Sequence, residues 1–495
     1  MDGVLFSFRY LDLIFVIASL FLLLVWIRSR RPSDYPPGPT PIPVIGNFHN
    51  LANKDFMQSL RELRQKYGDI FSLSLGTFWI IVVNGNDNLR EILVKRGEKT
   101  SDRPTFFVFN LVKNKGIISA SGPSWKHQRT FALSKLRDFG FGKRSFESNI
   151  HEELEIFLNE LEKYNEQPFD ISEIIHTSMS NIVMAITVGR RFDYKDPEFS
   201  YFVQLLNENF NNAAVLGPVN FIPILEKLPV DIFGAKRMAK NAERSDAFFQ
   251  NEINEHEKTL DENNIRDFID AYLVELRRER DTANYFSGEN LLSTIGDLFA
   301  AGTETTATTI RWALLYLLNN MDIQQKMWKE INDMVGSGRL PCLSDKPNLP
   351  YCEAVILESL RLGNIVPFSV PHTVSEDIYY KGMKIPKNSV IFPSLDSVVY
   401  DESLFPNCHI FYPERFIDEN GKLSGQEKIL TFSLGRRVCL DESLARIELF
   451  LYLTALVQRF QFLPPKGDNP PPVEGKLGVT YSPILYKIRA VRRDN

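Results

Sequence analysis

At 495 residues the chain is long enough to bury a large core, as one large domain or as two or three smaller ones. A net charge of −5 with 24% charged residues gives no global ground for nucleic-acid binding. Four cysteines (Cys342, Cys352, Cys408 and Cys439), none spaced C-x-x-C, do not make a disulfide framework, and they point to a reducing compartment.

Leu13 to Ile27 (LIFVIASLFLLLVWI) is uncharged and almost wholly apolar. As a helix it spans about 22 Å, so Tyr10 to Asp12 are needed to approach a bilayer core of about 30 Å. Arg28, Arg30 and Arg31 follow at once. Basic residues after the apolar run, with no small-residue cleavage site, favour an uncleaved anchor over a signal peptide and place the following body in the cytosol. Residues 1–31 are therefore expected to anchor the chain. Residues 32–47, with five prolines in YPPGPTPIP, form a stiff spacer. Residues 48–495 form the body.

In the body, 55–67 reads as a helix, and 71–75 and 79–83 as a strand hairpin around Gly76 and Thr77. From about 124 to 335 the periodicity is helical. Within it, 256–283 is so charged that a solvated helix face and loop is the simplest reading. GPVNFIPILEKLP (217–229) is apolar and broken by prolines; it reads equally as a loop that dips into lipid and as a buried loop. Short strand patterns return at 378–400 and 477–491. The expected fold is mainly α with small β-sheets, in one large unit.

Cys439 stands where a helix begins near residue 441, with Arg436 and Arg437 just before it. Helix N-terminal N–H groups and positive charge favour a thiolate, which is a good iron ligand. An inert buried cysteine is the plain alternative. Phe432-x-x-Gly435-x-Arg437-x-Cys439 resembles the heme-binding loop of the cytochrome P-450 family, the heme-thiolate monooxygenases. Three further motifs stand in that family's order. Ala301-Gly302-Thr303-Glu304-Thr305-Thr306 resembles its central-helix motif. Glu358-x-x-Arg361, with Arg415 in FYPERF, resembles its buried ion network. Trp125-x-x-x-Arg129 resembles its propionate-binding pair. The likeness runs over about 36–491 and is strongest to the animal microsomal drug- and lipid-oxidising branch.

The resemblance implies heme b, with Cys439 as axial iron ligand, Phe432 packed near the sulfur and Gly435 making the tight turn. It implies Arg437, Trp125, Arg129, Arg103 and His372 around the heme propionates, although Arg103 and His372 read as well as an ordinary surface arginine and a capped histidine. Ala301 would lie over the heme, with Gly302 letting a ligand approach the backbone. Glu304 and Thr305 would relay protons to dioxygen, and Glu358, Arg361 and Arg415 would brace the cysteine loop. The intact Thr305 favours monooxygenation over peroxide rearrangement. One atom of dioxygen would enter an apolar lipid, fatty acid, steroid or xenobiotic. Electrons would come from an NADPH-dependent reductase, with cytochrome b5 as a second donor, docking on Lys126, Arg129, Lys135, Arg137, Lys143 and Arg144. The enzyme would sit in the endoplasmic reticulum membrane facing the cytosol. Family positions give Phe106, Phe107, Phe109, Phe210, Ala300, Val366, Phe368, Val479 and Thr480 as substrate contacts. One position departs: Asp441 replaces the usual glycine two residues after the cysteine. It suits a helix N-cap, but its charge would disfavour reduction of the iron. A non-catalytic heme or lipid binder is the alternative that this departure leaves open.

Overall fold

Asp55 accepts a hydrogen bond from Met57 N at 3.2 Å and starts α1 (Phe56–Tyr67), which buries Met57, Leu60 and Leu63 on one face and stops at Gly68. The chain then turns into β1 (Ile70–Leu75) and β2 (Phe78–Asn84), paired antiparallel from Ile70↔Val83 to Leu75↔Phe78. The computed structural model describes residues 30–493 apart from 44, 52–54, 141–145, 213–216 and 279–284, together with a few positions between 12 and 20. Much of the expected anchor thus lies outside the described residues, as do Lys143 and Arg144. Among the described residues no helix is long and apolar enough to cross a membrane.

The helical body follows as α2 (Gly122–Asp138), α3 (Glu147–Glu162), α4 (Ser172–Thr187), α5 (Pro197–Phe210), α6 (Ala235–Thr259), α7 (Phe268–Arg278), α8 (Gly288–Asn319), α9 (Met321–Met334) and α10 (Pro350–Gly363). α8 has 32 residues and is about 48 Å long. From Gly302 to Leu318 every residue but Thr305 is buried, so it is the axis on which the other helices pack. β3 (His372–Thr373) and β4 (Val390–Ser394) complete a four-stranded sheet in the order β1-β2-β4-β3, with β2 and β4 parallel from Ile80↔Val390. α11 (Glu442–Arg459) closes the core. Three two-stranded sheets fill the rim. The strand pattern at 378–400 ends early, because Asp396–Val399 is a turn of helix.

Two expectations change. The 217–229 loop is neither buried nor exposed as a whole. Val219, Asn220 and Phe221 are buried under the tip of the β1–β2 hairpin, where Thr77 N donates to Phe221 O. Ile224 within the loop is 71% exposed, and Val230 and Ile232 just after it are 65% and 69% exposed. The charged 256–283 stretch is also not wholly a solvated face. His256, Asp267 and Asp270 are buried there. His256 Nε2 meets Asp267 Oδ2 at 2.9 Å, and Arg266 holds Asp270 in a two-pronged pair at 2.6 and 2.8 Å. Composition recorded the charge but not that α6 and α7 fold these groups against each other.

Burial alone would lower the pKa of His256, but the Asp267 hydrogen bond and charge outweigh it and leave it raised. The stabilisation from this pair is therefore complete below the ordinary histidine pKa of about 6.5 and is lost as pH rises through the higher folded value. The urea midpoint of His256→Gln should fall furthest below that of the parent protein at pH 6, and the gap should narrow by pH 8.

Candidate active site

α8, α11, the 365–370 segment and the 431–441 loop build the wall of a mainly apolar cavity. Its volume is about 220 Å³. Of the four cysteines only Cys439 borders it; Cys352 and Cys408 are buried elsewhere, and Cys342 lies on a distant turn. The loop carrying Cys439 is set by its own backbone. Gly435 has φ +76°, and a Cβ there would lie 2.0 Å from Leu93 O. Cys439 N donates to Phe432 O at 2.9 Å, and Phe432 lies on the cavity wall with the Arg446 guanidinium 4.9 Å from its ring centre.

The thiol is not activated by the protein alone. Burial, with the Asp441 charge, pushes it up to about 12. The helix N-terminus and Arg436 and Arg437 do not prevail as expected. Arg436 points outward to Glu98, and Arg437 spends its donors on backbone carbonyls.

Arg437 donates to Ser101 O and Ile117 O at 2.8 and 2.9 Å, with its guanidinium 3.9 Å from the Trp125 ring centre. Arg103 donates to Ile118, Val370 and Pro371 carbonyls at 2.8–3.0 Å. Arg129 donates to Val438 O at 2.6 Å. All three line the cavity, and among the described residues none is paired with a carboxylate. Burial and mutual repulsion drive Arg103 down to about 9 and Arg437 to about 8. Arginine does not release its proton in proteins, so these directions record a cation cluster lacking a counter-charge. Trp125 Nε1 is a buried donor with no partner. His372 Nδ1 meets Thr100 O at 2.6 Å, and Nε2 is buried without a partner. Burial and the Arg103 charge hold this imidazole neutral. It can donate to an anion only after gaining a proton, which an anion beside it favours. Three cations on the cavity wall, with the orphan N–H of the Trp125 ring behind Arg437, fit a dianionic ligand such as the two propionates of heme; neither Trp125 nor His372 borders the cavity itself.

On α8, Ala301, Gly302 and Thr305 line the cavity, and Thr305 Oγ1 donates to Ala301 O at 2.7 Å. Gly302 also serves a second contact: an added Cβ would lie 2.7 Å from Val183 Cγ2, so the glycine lets α4 approach α8. Glu304 is not on the cavity wall. It is buried and accepts from Thr308 and Thr480 hydroxyls at 2.9 Å each, and it meets His176 Nε2 at 2.8 Å. Burial alone would raise this carboxyl, but His176 and the two hydroxyls bring it below its ordinary value. The direct Glu304–Thr305 relay is therefore corrected: one residue along a helix turns the side chain by about 100°, and the acid faces α4.

The expected substrate contacts fare similarly. Val366 lines the cavity; Ala300, Phe106, Phe107, Phe109, Phe210, Phe368, Val479 and Thr480 do not. Phe106 and Phe109 stack at 6.1 Å, Phe106 meets Phe221 at 5.0 Å, and Phe368 meets Phe56 at 5.4 Å. Phe107 packs against Val219, Ala235 and Met238. Val479 N donates to Phe210 O at 2.8 Å at a partly exposed turn, and Thr480 serves Glu304. These residues are core or rim. The cavity wall includes instead the aliphatic side chains of Leu298, Ile365, Val366 and Val370. Asp297 was not anticipated: it lines the cavity and accepts from Ile117 N and Ile118 N at 2.6 and 2.8 Å, while burial raises it to about 7. Its i, i+4 relation to Ala301 on the central helix was the available signal.

Glu358 is bound by Arg361 at 2.7 and 2.8 Å and by Arg415 at 3.1 Å. Their remaining donors reach the carbonyls of Val399, Pro406, Asn407, Cys408 and Ile410. The network thus clamps 399–416 and reaches the cysteine loop only indirectly, where Phe405 and Phe416 pack on Ile429. Asp441 is at the N-cap position of α11 but makes no capping hydrogen bond, contrary to expectation.

The cytochrome P450 family model matches residues 36–490. The chain belongs to the cytochrome P450 family. Rabbit (Oryctolagus cuniculus) cytochrome P450 2B4 is 38% identical over 496 residues, covering 98% of this chain and all of its own. Rabbit cytochrome P450 2C3 is 39% identical over 95% of this chain and 97% of its own, and human (Homo sapiens) cytochrome P450 2C8 is 37% identical over 91% and 92%. This P450 is a monooxygenase whose cofactor is heme b, and the family gives no support to the non-catalytic alternative.

Proposed function

We propose that Cys439 holds heme b by its thiolate, that Arg103, Arg129, Arg437, Trp125 and His372 hold the propionates, and that the chain oxidises apolar small molecules. The observation that carries this reading is the placement of the only cavity-facing cysteine on the same cavity as three unpaired arginines. Thiolate-bound heme b supplies dioxygen cleavage and transfer of one oxygen atom to substrate. The chain does the rest. The aliphatic wall at Leu298, Ile365, Val366 and Val370 excludes water and takes an apolar substrate such as a lipid, fatty acid, steroid or xenobiotic. Thr305 Oγ1 holds a proton at the wall, resting on Ala301 O. Glu304 stands behind it as a fixed anion rather than as the group that meets oxygen. Glu358, Arg361 and Arg415 act structurally.

Residues 1–31 anchor this body in the endoplasmic reticulum membrane, on the cytosolic side, after the 32–47 spacer. The exposed Ile224, Val230 and Ile232, with Ile42 and Ile45, support contact with a bilayer. These stretches are neighbours around the hairpin: Phe48 meets Phe221 at 5.8 Å, and Asn47 N donates to Ser74 O at 2.6 Å. Electrons come from an NADPH-dependent reductase, with cytochrome b5 as a second donor. Lys126 and Arg137 are exposed for docking, Lys135 is partly so, and Arg129 is withdrawn to the heme side.

A carbon-monoxide difference spectrum of the reduced full-length protein tests this reading. The parent protein should give a thiolate-type band, and Cys439→Ser should lose it. Adding reductase should then drive NADPH consumption in the parent alone. An unchanged spectrum in Cys439→Ser would remove the assignment.

A further inference from the structure

α11 begins at Glu442, and the Asp441 carboxyl at its N-cap position accepts nothing from the helix. An aspartate there ordinarily turns back to the N–H of the second or third helical residue. Here Oδ1 is buried and has no partner. The side chain forms a partition between two spaces. On one side is the main cavity; on the other is a small chamber walled by Leu136, Val183, Ile186 and Leu444. The hydroxyl in that chamber, Thr187 Oγ1, is spent on Val183 O at 2.8 Å. No donor therefore meets the carboxyl from behind.

The other groups around it do not neutralise it either. Glu448, two turns along α11, lies on the same wall; its Oε2 takes the Thr306 hydroxyl at 2.9 Å, and its Oε1 is buried and unpartnered. Glu442 also lies near the thiol, but Arg446 pairs with it at 2.9 Å and is spent there rather than on Asp441. Arg129 is the nearby cation, but its hydrogen bond goes to Val438 O. Two residues from Cys439, this wall presents acceptor oxygens that no donor of the chain satisfies.

We infer that Asp441 holds the reduction potential of the heme iron at Cys439 below what this pocket would otherwise give, through its carboxyl oxygen left without a donor. The inference rests on Cys439 being the heme ligand. Reduction adds one electron to a site already facing a thiolate. A fixed acceptor oxygen in a poorly hydrated wall opposes that added charge, and the low dielectric enlarges the effect. Asp441 is thus a positioning residue for charge, set two residues from the thiol on the wall it shares with Cys439.

The test uses the full-length protein with heme bound, comparing parent, Asp441→Asn and Asp441→Gly. Heme per chain, the reduced carbon-monoxide spectrum and the midpoint potential are measured for each. Asparagine removes the acidic carboxyl and keeps the size; glycine removes the side chain. Both variants should keep heme and its thiolate-type spectrum, and both should be reduced more easily. At a fixed solution potential the ratio of reduced to oxidised protein should rise about tenfold, which for one electron is about 59 mV. A midpoint in Asp441→Asn that is unchanged or lower overturns the inference, whatever Asp441→Gly does. Parent protein without heme, or a Cys439→Ser variant with an unchanged spectrum, would instead defeat the reading of the site and take this inference with it.

Discussion

Glu358→Ala should destabilise the protein by about 3–5 kcal/mol, the cost of leaving buried charges without their partner. Arg361 is 1% exposed at its side chain and Arg415 is 7% exposed, so neither guanidinium has water to fall back on. Removing the carboxylate frees three guanidinium donors and also Tyr412 N, which donates to the same oxygen at 2.9 Å. The carbonyls of Val399, Cys408 and Ile410 would still hold Arg361, but as neutral acceptors around an uncompensated cation. Loosening spreads along 399–416 to Phe405 and Phe416, then to Ile429 at the foot of the cysteine loop. Heme retention should therefore fall together with the urea midpoint. A loss under about 1 kcal/mol with heme intact would show that the clamp neither braces the segment nor reaches the loop.

Much of this was written locally. The hairpin at 70–84 followed from β-branched and aromatic alternation around Gly76 and Thr77. Spacing alone put Glu358 and Arg361 on one face, and the cysteine loop was legible because a glycine was needed at a turn that admits no Cβ. What was not legible is which partner each helix face meets. Adjacent residues Glu304 and Thr305 look like one acid–alcohol unit in the sequence, yet 100° of helical rotation sends one to His176 and the other to the cavity. Phenylalanines at 106, 107, 109 and 368 carry the same letter whether they line a pocket or fill a core; their ring contacts place them in the core. The second role of Gly302, its contact with Val183, is not legible because it joins residues more than a hundred apart in sequence.

Charge posed the same difficulty with a different outcome. His256, Asp267 and Asp270 sit in a stretch whose composition says solvent, and their burial depends on α6 and α7 turning the three groups inward. Asp441 is the converse case. Its letter and position say N-cap, but its carboxyl faces a cavity and an apolar chamber. Local propensity gives way at both places, and at Asp441 the conflict stands beside the proposed heme ligand, where such local violations are expected to carry function.

Gly435→Ala should produce a folded protein that does not retain heme. Two costs fall on the new methyl. The residue holds φ +76°, which costs an L-residue about 1–2 kcal/mol. The methyl would also lie 2.0 Å from Leu93 O and 2.8 Å from Leu93 C. That neighbour is backbone of the Glu91–Lys95 helical turn, with Leu93 buried, so it cannot rotate aside as a flexible side chain would. The cysteine loop must move instead. Its movement breaks Cys439 N to Phe432 O, the bond that sets the thiol on the wall, and pulls Arg437 from the Ser101 and Ile117 carbonyls. The helices behind the loop do not depend on it: α8 and α4 meet at Gly302 and Val183, remote from residue 435. Far-ultraviolet circular dichroism of Gly435→Ala should therefore match the parent protein while heme per chain falls at least tenfold. Full heme content in that variant would show that the turn tolerates a side chain and that the loop does not fix the sulfur.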